Sequence, residues 1–251
     1  GGGRPLYEQP LRLHLGCART RCGCLRAARP HNLEGTMADA ILYAPKVRYA
    51  NTFESQFDAM MTWRAELELS YCVEDDTPDV LAGYADFLII CVGEHPMDDL
   101  LDSLSEEFAQ FAELFDDNDV AGTVQSQFDD APFNRILIIT DVEIASPLRG
   151  HDLGAWLVAE VIDRMASPTD TLVLLQSEPA GQASELPGVS ALSKYWERVG
   201  LEAIQDHREF MGQATAYSHV TRARAALSAI AEAEFTVSTS QICEEKPNAY
   251  L

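Results

Sequence analysis

The amino-acid sequence predicts an α/β (α+β) fold with a mixed central sheet flanked by helices, and three patterns support this prediction. First, two apolar runs rich in β-branched and aromatic residues, Leu67–Val73 and Ala85–Val92, flank a turn-prone stretch, as expected for two antiparallel strands. Second, an apolar run at Ile136–Val142 leads through a glycine-containing turn into a segment with helical spacing. Third, Thr171–Gln176 is short and continuously apolar, which is typical of a central buried strand.

The other elements follow from apolar spacing and from residues that stop helices. Leucine and phenylalanine at steps of three and four residues predict one long helix over Met97–Asp117, with an acidic face towards solvent. The polar stretch Asn118–Asn134 is expected to be a loop before the strand Arg135–Glu143. Further expected elements are a helix from Leu153 to about Ser167, a loop over Ser177–Gly188, a helix over Ser190–Val199 capped by Gly200, and a helix within Arg222–Phe235 followed by a frayed tail.

Length and composition indicate one large domain, with or without an extension, and a sizeable core. The chain has 251 residues, of which 47% are hydrophobic, and no apolar run approaches the roughly 18–20 residues that a membrane span needs. Its 18 basic residues against 40 acidic ones give a net charge of −22, which disfavours nucleic acid and anionic lipid and attracts cationic amines. Since the six cysteines show no disulfide-framework spacing, a cytoplasmic protein is expected.

The first 36 residues differ from the rest, because six arginines stand against two glutamates. Met37 begins a stretch typical of a native N-terminus, so residues 1–36 are expected to be a disordered or non-native extension of a domain at 37–251. An organelle transit peptide is an alternative for the extension, although it contains no serine. It also contains potential zinc ligands whose spacing fits no common structural zinc site, so no metal site is predicted; they are Cys17, Cys22, Cys24, His14 and His31.

The segment Leu148–Leu157 (LRGHDLGAWL) carries the strongest functional signal. A strand that runs through an Arg/Gly turn into a helix directs several backbone N–H groups and the positive end of the helix dipole at one point. Such a point suits a phosphate or pyrophosphate. The segment resembles the Arg/Gln-x-x-Gly-x-Gly/Ala turn of the GNAT superfamily of acyl-CoA-dependent N-acyltransferases, except that Asp152 stands where the first motif glycine is expected.

A second segment, Ala191–Leu201 (ALSKYWERVGL), resembles the family's helix that ends in Phe-Tyr-Glu-Lys-x-Gly-Phe. The resemblance implies a GNAT-like fold over 37–251, acetyl-CoA as acyl donor and a small-molecule or peptide amine as acceptor. It also implies that the backbone N–H of Ile144 polarises the thioester carbonyl. The residues that the resemblance assigns to the pyrophosphate are Arg149, Gly150, His151, Asp152, Leu153, Gly154 and Ala155.

Two further residues are candidates for proton transfer. Glu143 is the candidate general base, and Asp141 shares its face of the strand by the two-residue period. The alternatives are that these carboxylates are solvated strand-end groups or only attract a cation. The family's tyrosine acid falls at Trp196 here, so Tyr195 becomes the candidate acid, although a helix turns each residue by about 100° and should direct it elsewhere.

Two other hypotheses remain. Asp152 and Trp196 depart from the family's pattern at positions that the chemistry uses, so the chain could be a catalytically degenerate GNAT-fold binding module. It could also be an α/β domain unrelated to that family, in which case the strands near Val142 and Gln176 would not diverge. The sequence leaves a homodimer open.

Overall fold

The structure is a computed structural model that describes residues 39–53, 57–71, 79–128, 132–177 and 191–238. Short 3₁₀ turns at 110–114, 146–148, 197–199 and 228–232 join several of its elements. The strands are β1 (Asp39–Phe53), β2 (Met60–Tyr71), β3 (Val80–Cys91), β4 (Phe115–Asp116), β5 (Asp119–Val120), β6 (Arg135–Ile144), β7 (Thr171–Gln176), β8 (Glu202–Ile204), β9 (His207–Ala214) and β10 (Phe235–Ser238). The α-helices are α1 (Met97–Asp102), α2 (Glu106–Ala109), α3 (Gly122–Phe128), α4 (Leu153–Met165), α5 (Ala191–Trp196) and α6 (Ser218–Leu227).

An eight-stranded mixed sheet organises the described residues, in the order β10-β1-β2-β3-β6-β7-β9-β8. Neighbouring strands are antiparallel except for β6 and β7, which run parallel with Arg135 opposite Thr171 and Ile139 opposite Leu175. A parallel pair needs a crossover connection, and α4 supplies it. The predicted mixed sheet with flanking helices is therefore confirmed.

Two hydrophobic cores lie on opposite faces of this sheet, and β6 contributes to both. Leu137 and Ile139 pack into the core that contains α4, whereas Ile136 and Ile138 pack into the core that contains α1 and α3. Burial on both faces explains why the central strands are continuously apolar rather than alternating. We call the two sides the α4 face and the α1–α3 face.

Several predicted elements are confirmed. The two predicted antiparallel strands are β2 and β3, which pair along most of their length. The helix after the glycine-containing turn is α4, and it ends before the Ser167–Pro168 step as expected. Gly200 ends the next helical segment at a φ of +91°, in the left-handed region that glycine adopts most easily. Cys91 of β3 is half-buried with a free thiol.

The prediction of one helix over Met97–Asp117 is wrong. The segment contains α1, then α2, then the 3₁₀ turn at 110–114, and it ends in the strand β4. Ser103 donates its hydroxyl to the carbonyl of Leu100, and Ser105 has extended backbone angles, so the helix stops between them. Serine competes with the backbone for hydrogen bonds in this way and weakens helix interiors.

The predictions of a long loop over Asn118–Asn134 and of a frayed tail are also wrong for the described residues. The first region contains β5 and α3, because Asp117 adopts a φ of +57° and turns the chain between β4 and β5. The second contains β10, which pairs with the beginning of β1. Strand β1, with 15 residues, was not expected.

Other predictions fall on residues that the structure does not describe. The proposed extension at 1–36, the loop that follows Ser177 and the last 13 residues, 239–251, lie outside the described ranges. Within those ranges, no helix combines the length and the apolar character that crossing a membrane requires.

Candidate functional site

A β-bulge at Thr140 determines which way the end of β6 faces. Ile139 lies opposite Phe87 of β3, but Asp141 lies opposite the preceding residue, Asp86, so Thr140 is the extra residue. Its hydroxyl donates to the carbonyl of Asp86 at 3.0 Å, which holds the bulge in place. A bulge of this kind shifts the alternation of side chains by one position.

The shift exchanges the faces of the last four residues of β6. Without it, Asp141 and Glu143 would continue the alternation of Leu137 and Ile139 and point into the α4 face. With it, Val142 and Ile144 pack against the core of the α4 face instead. Asp141 and Glu143 consequently share the α1–α3 face at the end of the strand, where Asp141 is exposed and Glu143 is half-buried.

Tyr84 of β3 joins these two carboxylates. Its phenol donates to Asp141 Oδ2 at 2.9 Å, and Glu143 is its direct cross-strand neighbour. Burial raises the pKa of Tyr84 far above its ordinary value, and the hydrogen bond to Asp141 and the negative charges of Asp141 and Glu143 add to this effect. Tyr84 therefore stays protonated and neutral, so it orients Asp141 without cancelling its charge.

An ion pair lies beside this group on the same face. Arg64 binds Asp86 through two hydrogen bonds of 2.7 and 2.6 Å, and its guanidinium lies 4.3 Å from the centre of the Tyr84 ring. Arg64 therefore satisfies Asp86. In the described part of the chain no lysine or arginine forms an ion pair with Asp141 or Glu143.

On the opposite face, the turn before α4 has the backbone geometry of a glycine motif. Asp152, at the N-cap position, has a φ of +61° in the left-handed region, which aspartate tolerates better than most residues. Its side chain does not cap the helix. It forms an ion pair with Arg198 from the segment after α5, so the carboxylate that would repel a pyrophosphate is neutralised.

Tyr195 reaches the same turn. Its hydroxyl oxygen accepts a hydrogen bond from the backbone N–H of Ala155 at 2.8 Å. Trp196 is instead buried, with 8% of its surface exposed. The expectation that Tyr195 points away from the motif is therefore wrong. The α-helix ends at Trp196 and a 3₁₀ turn follows, which changes the rotation between Tyr195 and Gly200.

Gly154 allows this approach. A Cβ atom at Gly154 would lie 2.9 Å from the Tyr195 hydroxyl oxygen, which is too close, and 3.5 Å from Ile144 Cγ1, which is an ordinary contact. Burial raises the pKa of the Tyr195 phenol, although the bond from Ala155 partly opposes this effect. The structure thus brings Ile144, Gly154, Ala155 and Tyr195 together, and it places Glu143 on the other face of the sheet.

The first N–H groups of a helix have no partner within the helix. Ala155 donates to Tyr195, whereas in the described part of the chain no acceptor is found for the N–H groups of Leu153 and Gly154. These two donors can hold an anion at the positive end of α4. Gly150 and His151 are exposed, and the His151 ring packs edge-on against Phe235 at 5.5 Å, so its imidazole faces β10.

Ile144 presents its backbone away from β3. Ala145 donates to Ala82, so Ile144 and Gly83 form a non-hydrogen-bonded pair, and the N–H and C=O of Ile144 point to the other side. The carbonyl accepts a bond of 2.8 Å from Arg149 Nε. On that side the pairing of β6 with β7 ends at Ile139 and Leu175. Beyond this point β6 continues along β3, and β7 continues along β9.

Sequence reasoning missed Tyr84, Arg198 and Gly83. A Cβ at Gly83 would lie 2.3 Å from the carbonyl oxygen of Glu143, so glycine allows β3 and β6 to approach here. Tyr84 and Arg198 meet their partners only through strand pairing and helix packing, and no local pattern marks them. The glycine within a strand-like run was the one available signal.

Comparisons of the chain with protein-family models, with curated proteins and with solved structures give no match. The assignment of a function therefore depends on the geometry of this chain.

Proposed function

We propose that the chain is an acyl-CoA-dependent N-acyltransferase that transfers an acyl group, acetyl as the first candidate, directly to a primary amine. The junction of β6, α4 and α5 carries this proposal. There, two amide donors without an acceptor, a protonated phenol and the outward-facing backbone of Ile144 lie beside the point where β6 and β7 cease to pair. The strand–turn–helix order and the two motifs make a GNAT-like fold the interpretation that we favour.

The residues of the α4 face suit a thioester donor. Acetyl-CoA would supply an activated acyl group together with a thiol leaving group. The N–H groups of Leu153 and Gly154 would bind its pyrophosphate, and the N–H of Ile144 would donate to the thioester carbonyl oxygen. Tyr195 keeps its proton at neutral pH because its pKa is raised, and its oxygen already accepts from Ala155, so its O–H can donate to the departing sulfur.

The residues of the α1–α3 face suit a cationic acceptor. Asp141 and Glu143 form no ion pair within the described residues and lie side by side at the end of β6, where they attract an ammonium group. Glu143 is the proposed base, since Tyr84 donates to Asp141 and leaves Glu143 the freer carboxylate. Donor and acceptor would then approach from opposite faces of the sheet and meet where β6 leaves β7.

The cytoplasm is the proposed compartment, since the cysteine pattern shows no disulfide framework. The proposed acceptor is a small amine or a peptide amine, and the charge of −22 argues against a nucleic-acid partner.

One observation favours the alternative of a degenerate binding module. Tyr195 already occupies the N–H of Ala155, which the sequence assigned to the pyrophosphate, so one donor of the turn is taken. Acyl-CoA would then have to bind with the two remaining amides or displace the phenol. A protein that does neither would keep the fold without the reaction.

Calorimetric titration of the full chain with acetyl-CoA and with free CoA tests the donor site first. We expect binding of both ligands, followed by release of free thiol when acetyl-CoA and a panel of primary amines are added. Binding without turnover across the panel would support the degenerate module. A folded protein that binds neither ligand would refute the proposed function.

The acceptor face has its own test. Glu143→Gln should lower kcat, because it removes the proposed base, and Asp141→Asn should raise KM for a cationic amine. Both variants should leave the affinity for acetyl-CoA unchanged, because the two residues lie on the opposite face from α4. Asp116→Asn is the matched control, since it removes one carboxylate from the separate β4–β5 hairpin. Equal kinetics in all three variants would contradict the assignment of this face.

A further inference from the structure

A second group of side chains with ligand chemistry consists of residues that the proposed acyl-transfer site does not use. Glu113, His207 and Glu209 each direct one oxygen or nitrogen ligand atom to a common point, and these atoms lie within 4.8 Å of one another. His207 and Glu209 are two residues apart on β9 and therefore project from the same side of the strand. Glu113 comes from the 3₁₀ turn at 110–114.

We propose that Glu113, His207 and Glu209 form a binding site for a divalent transition-metal ion, with Zn²⁺ as the reference ion. An imidazole nitrogen with two carboxylate oxygens is a ligand set that zinc accepts. The imidazole discriminates against Mg²⁺ and Ca²⁺, which prefer oxygen ligands alone. Three protein ligands would leave a further coordination position for water.

The distances agree with such a site after a small movement. Metal–ligand bonds of about 2.0–2.2 Å place neighbouring ligand atoms of a tetrahedral site about 3.4 Å apart. His207 Nδ1 already lies 3.6 Å from Glu113 Oε2. The Glu113 side chain is 68% exposed and can rotate to close the remaining gap, whereas that of His207 is 23% exposed and is held by its surroundings.

The backbone that presents the three ligands is firmly anchored. Phe111 packs against Phe210, with ring centres 4.7 Å apart, and both residues are buried next to the ligand positions. Ser177 donates through its backbone N–H and its hydroxyl to the carbonyl of Glu209, at 2.8 and 3.1 Å. The ligands thus extend from a preformed frame, and binding requires little ordering of the chain.

The electrostatics also favour a cation at this point. Glu113 and Glu209 bring two carboxylates together in a chain of net charge −22. Within the described residues no lysine or arginine forms an ion pair with either of them, and His207 is the basic side chain that contacts Glu113. A metal ion would relieve this repulsion and would fasten the 110–114 turn to β9. Gln110 of that turn accepts a bond from Gln176 at the end of β7, at 3.0 Å.

Zinc titration of the full chain, after removal of metal with a chelator, tests the proposal. The variants are His207→Ala and Glu209→Gln, and the matched control is His219→Ala, which removes an exposed histidine from α6. We expect wild type and His219→Ala to bind one more equivalent of Zn²⁺ than His207→Ala, and Glu209→Gln to bind this equivalent about tenfold more weakly or worse. Zinc should raise Tm in wild type more than in His207→Ala, and Mg²⁺ should not reproduce the effect.

Comparison between variants is needed because Cys17, Cys22 and Cys24 can also take up zinc. They are present in every variant, so they contribute equally to each titration. Equal stoichiometry in His207→Ala and His219→Ala would overturn the proposal, and so would wild-type protein that takes up no zinc. Circular dichroism of each metal-free variant establishes that a loss of binding is not a loss of fold.

Discussion

Removal of Arg198 distinguishes the effect of the Asp152–Arg198 ion pair on stability from its effect on the binding of an anion. The side chains are 49% and 27% exposed, so the pair contributes at most about 1 kcal/mol to stability. Its effect on a bound anion is expected to be larger. At roughly 6 Å and an effective dielectric constant between about 80 and about 20, an unneutralised carboxylate repels a unit negative charge by about 0.7 to 2.8 kcal/mol. This repulsion corresponds to a roughly threefold to hundredfold loss of affinity.

The assay is calorimetric titration with acetyl-CoA of Arg198→Ala, Asp152→Gly and the double variant. Arg198→Ala should bind acetyl-CoA roughly threefold to hundredfold more weakly than wild type does. Asp152→Gly should bind at least as tightly as wild type, because it removes the carboxylate and glycine adopts the left-handed φ without strain. The double variant should regain most of the affinity lost in Arg198→Ala. The matched control is Arg208→Ala, which removes the same charge from an exposed position on β9.

Two results would refute this reasoning. One is an Arg198→Ala protein that binds acetyl-CoA as wild type does, which would show that Asp152 does not face the bound anion. The other is a double variant no tighter than Arg198→Ala, which would show that Arg198 itself holds the ligand. Added salt should reduce the penalty in Arg198→Ala, since it screens exposed charges.

Three further changes probe the framework of the site. Gly83→Ala should lower the free energy of unfolding by about 1–3 kcal/mol in urea titrations, because its Cβ would lie 2.3 Å from a backbone carbonyl oxygen. Gly122→Ala is the control and should cause no loss, since the space around Gly122 is open. Equal stability of the two variants would contradict the close approach of β3 and β6. Tyr84→Phe should reduce the loss of stability that occurs between pH 8 and pH 11. With its raised pKa, Tyr84 keeps its proton in the folded protein, whereas the unfolded chain loses this proton above about pH 10. An unchanged loss of stability in Tyr84→Phe would count against a raised pKa. Tyr195→Phe should lower the free energy of unfolding by about 0.5–1.5 kcal/mol by leaving the Ala155 N–H without its acceptor, and no change in thermal unfolding would contradict that bond.

Prediction from the sequence succeeded where burial or a single residue type determines the backbone. Thr171–Gln176 is apolar throughout because both of its faces are covered, and Gly200 ends a helical segment because it adopts a positive φ. Prediction failed where pairing between segments far apart in the chain determines the structure. Strand β10 forms because β1 offers it an edge, and the local signal for it is one short alternation of apolar and polar residues over Phe235–Ser238.

The candidate site shows the same division. The turn before α4 could be located from its glycines and the strand before it, because local backbone geometry defines it. The ion pair that neutralises Asp152 could not be predicted from the sequence, since Arg198 is 46 residues away along the chain. Helical periodicity directed Tyr195 away from the turn, whereas in the structure the α-helix changes to a 3₁₀ turn after Trp196 and the Tyr195 hydroxyl reaches the N–H of Ala155.

The bulge at Thr140 has the largest consequence for function. An unbroken two-residue period would place Asp141 and Glu143 under α4, on the same side as Tyr195 and the free amides of Leu153 and Gly154. Two carboxylates there would oppose an anionic ligand. The extra residue moves them to the opposite face and brings Val142 and Ile144 against the core in their place. One inserted residue therefore separates the face with the free amides from the face with the two carboxylates across the same strand, and this separation suits the proposed transfer from an anionic donor to a cationic acceptor.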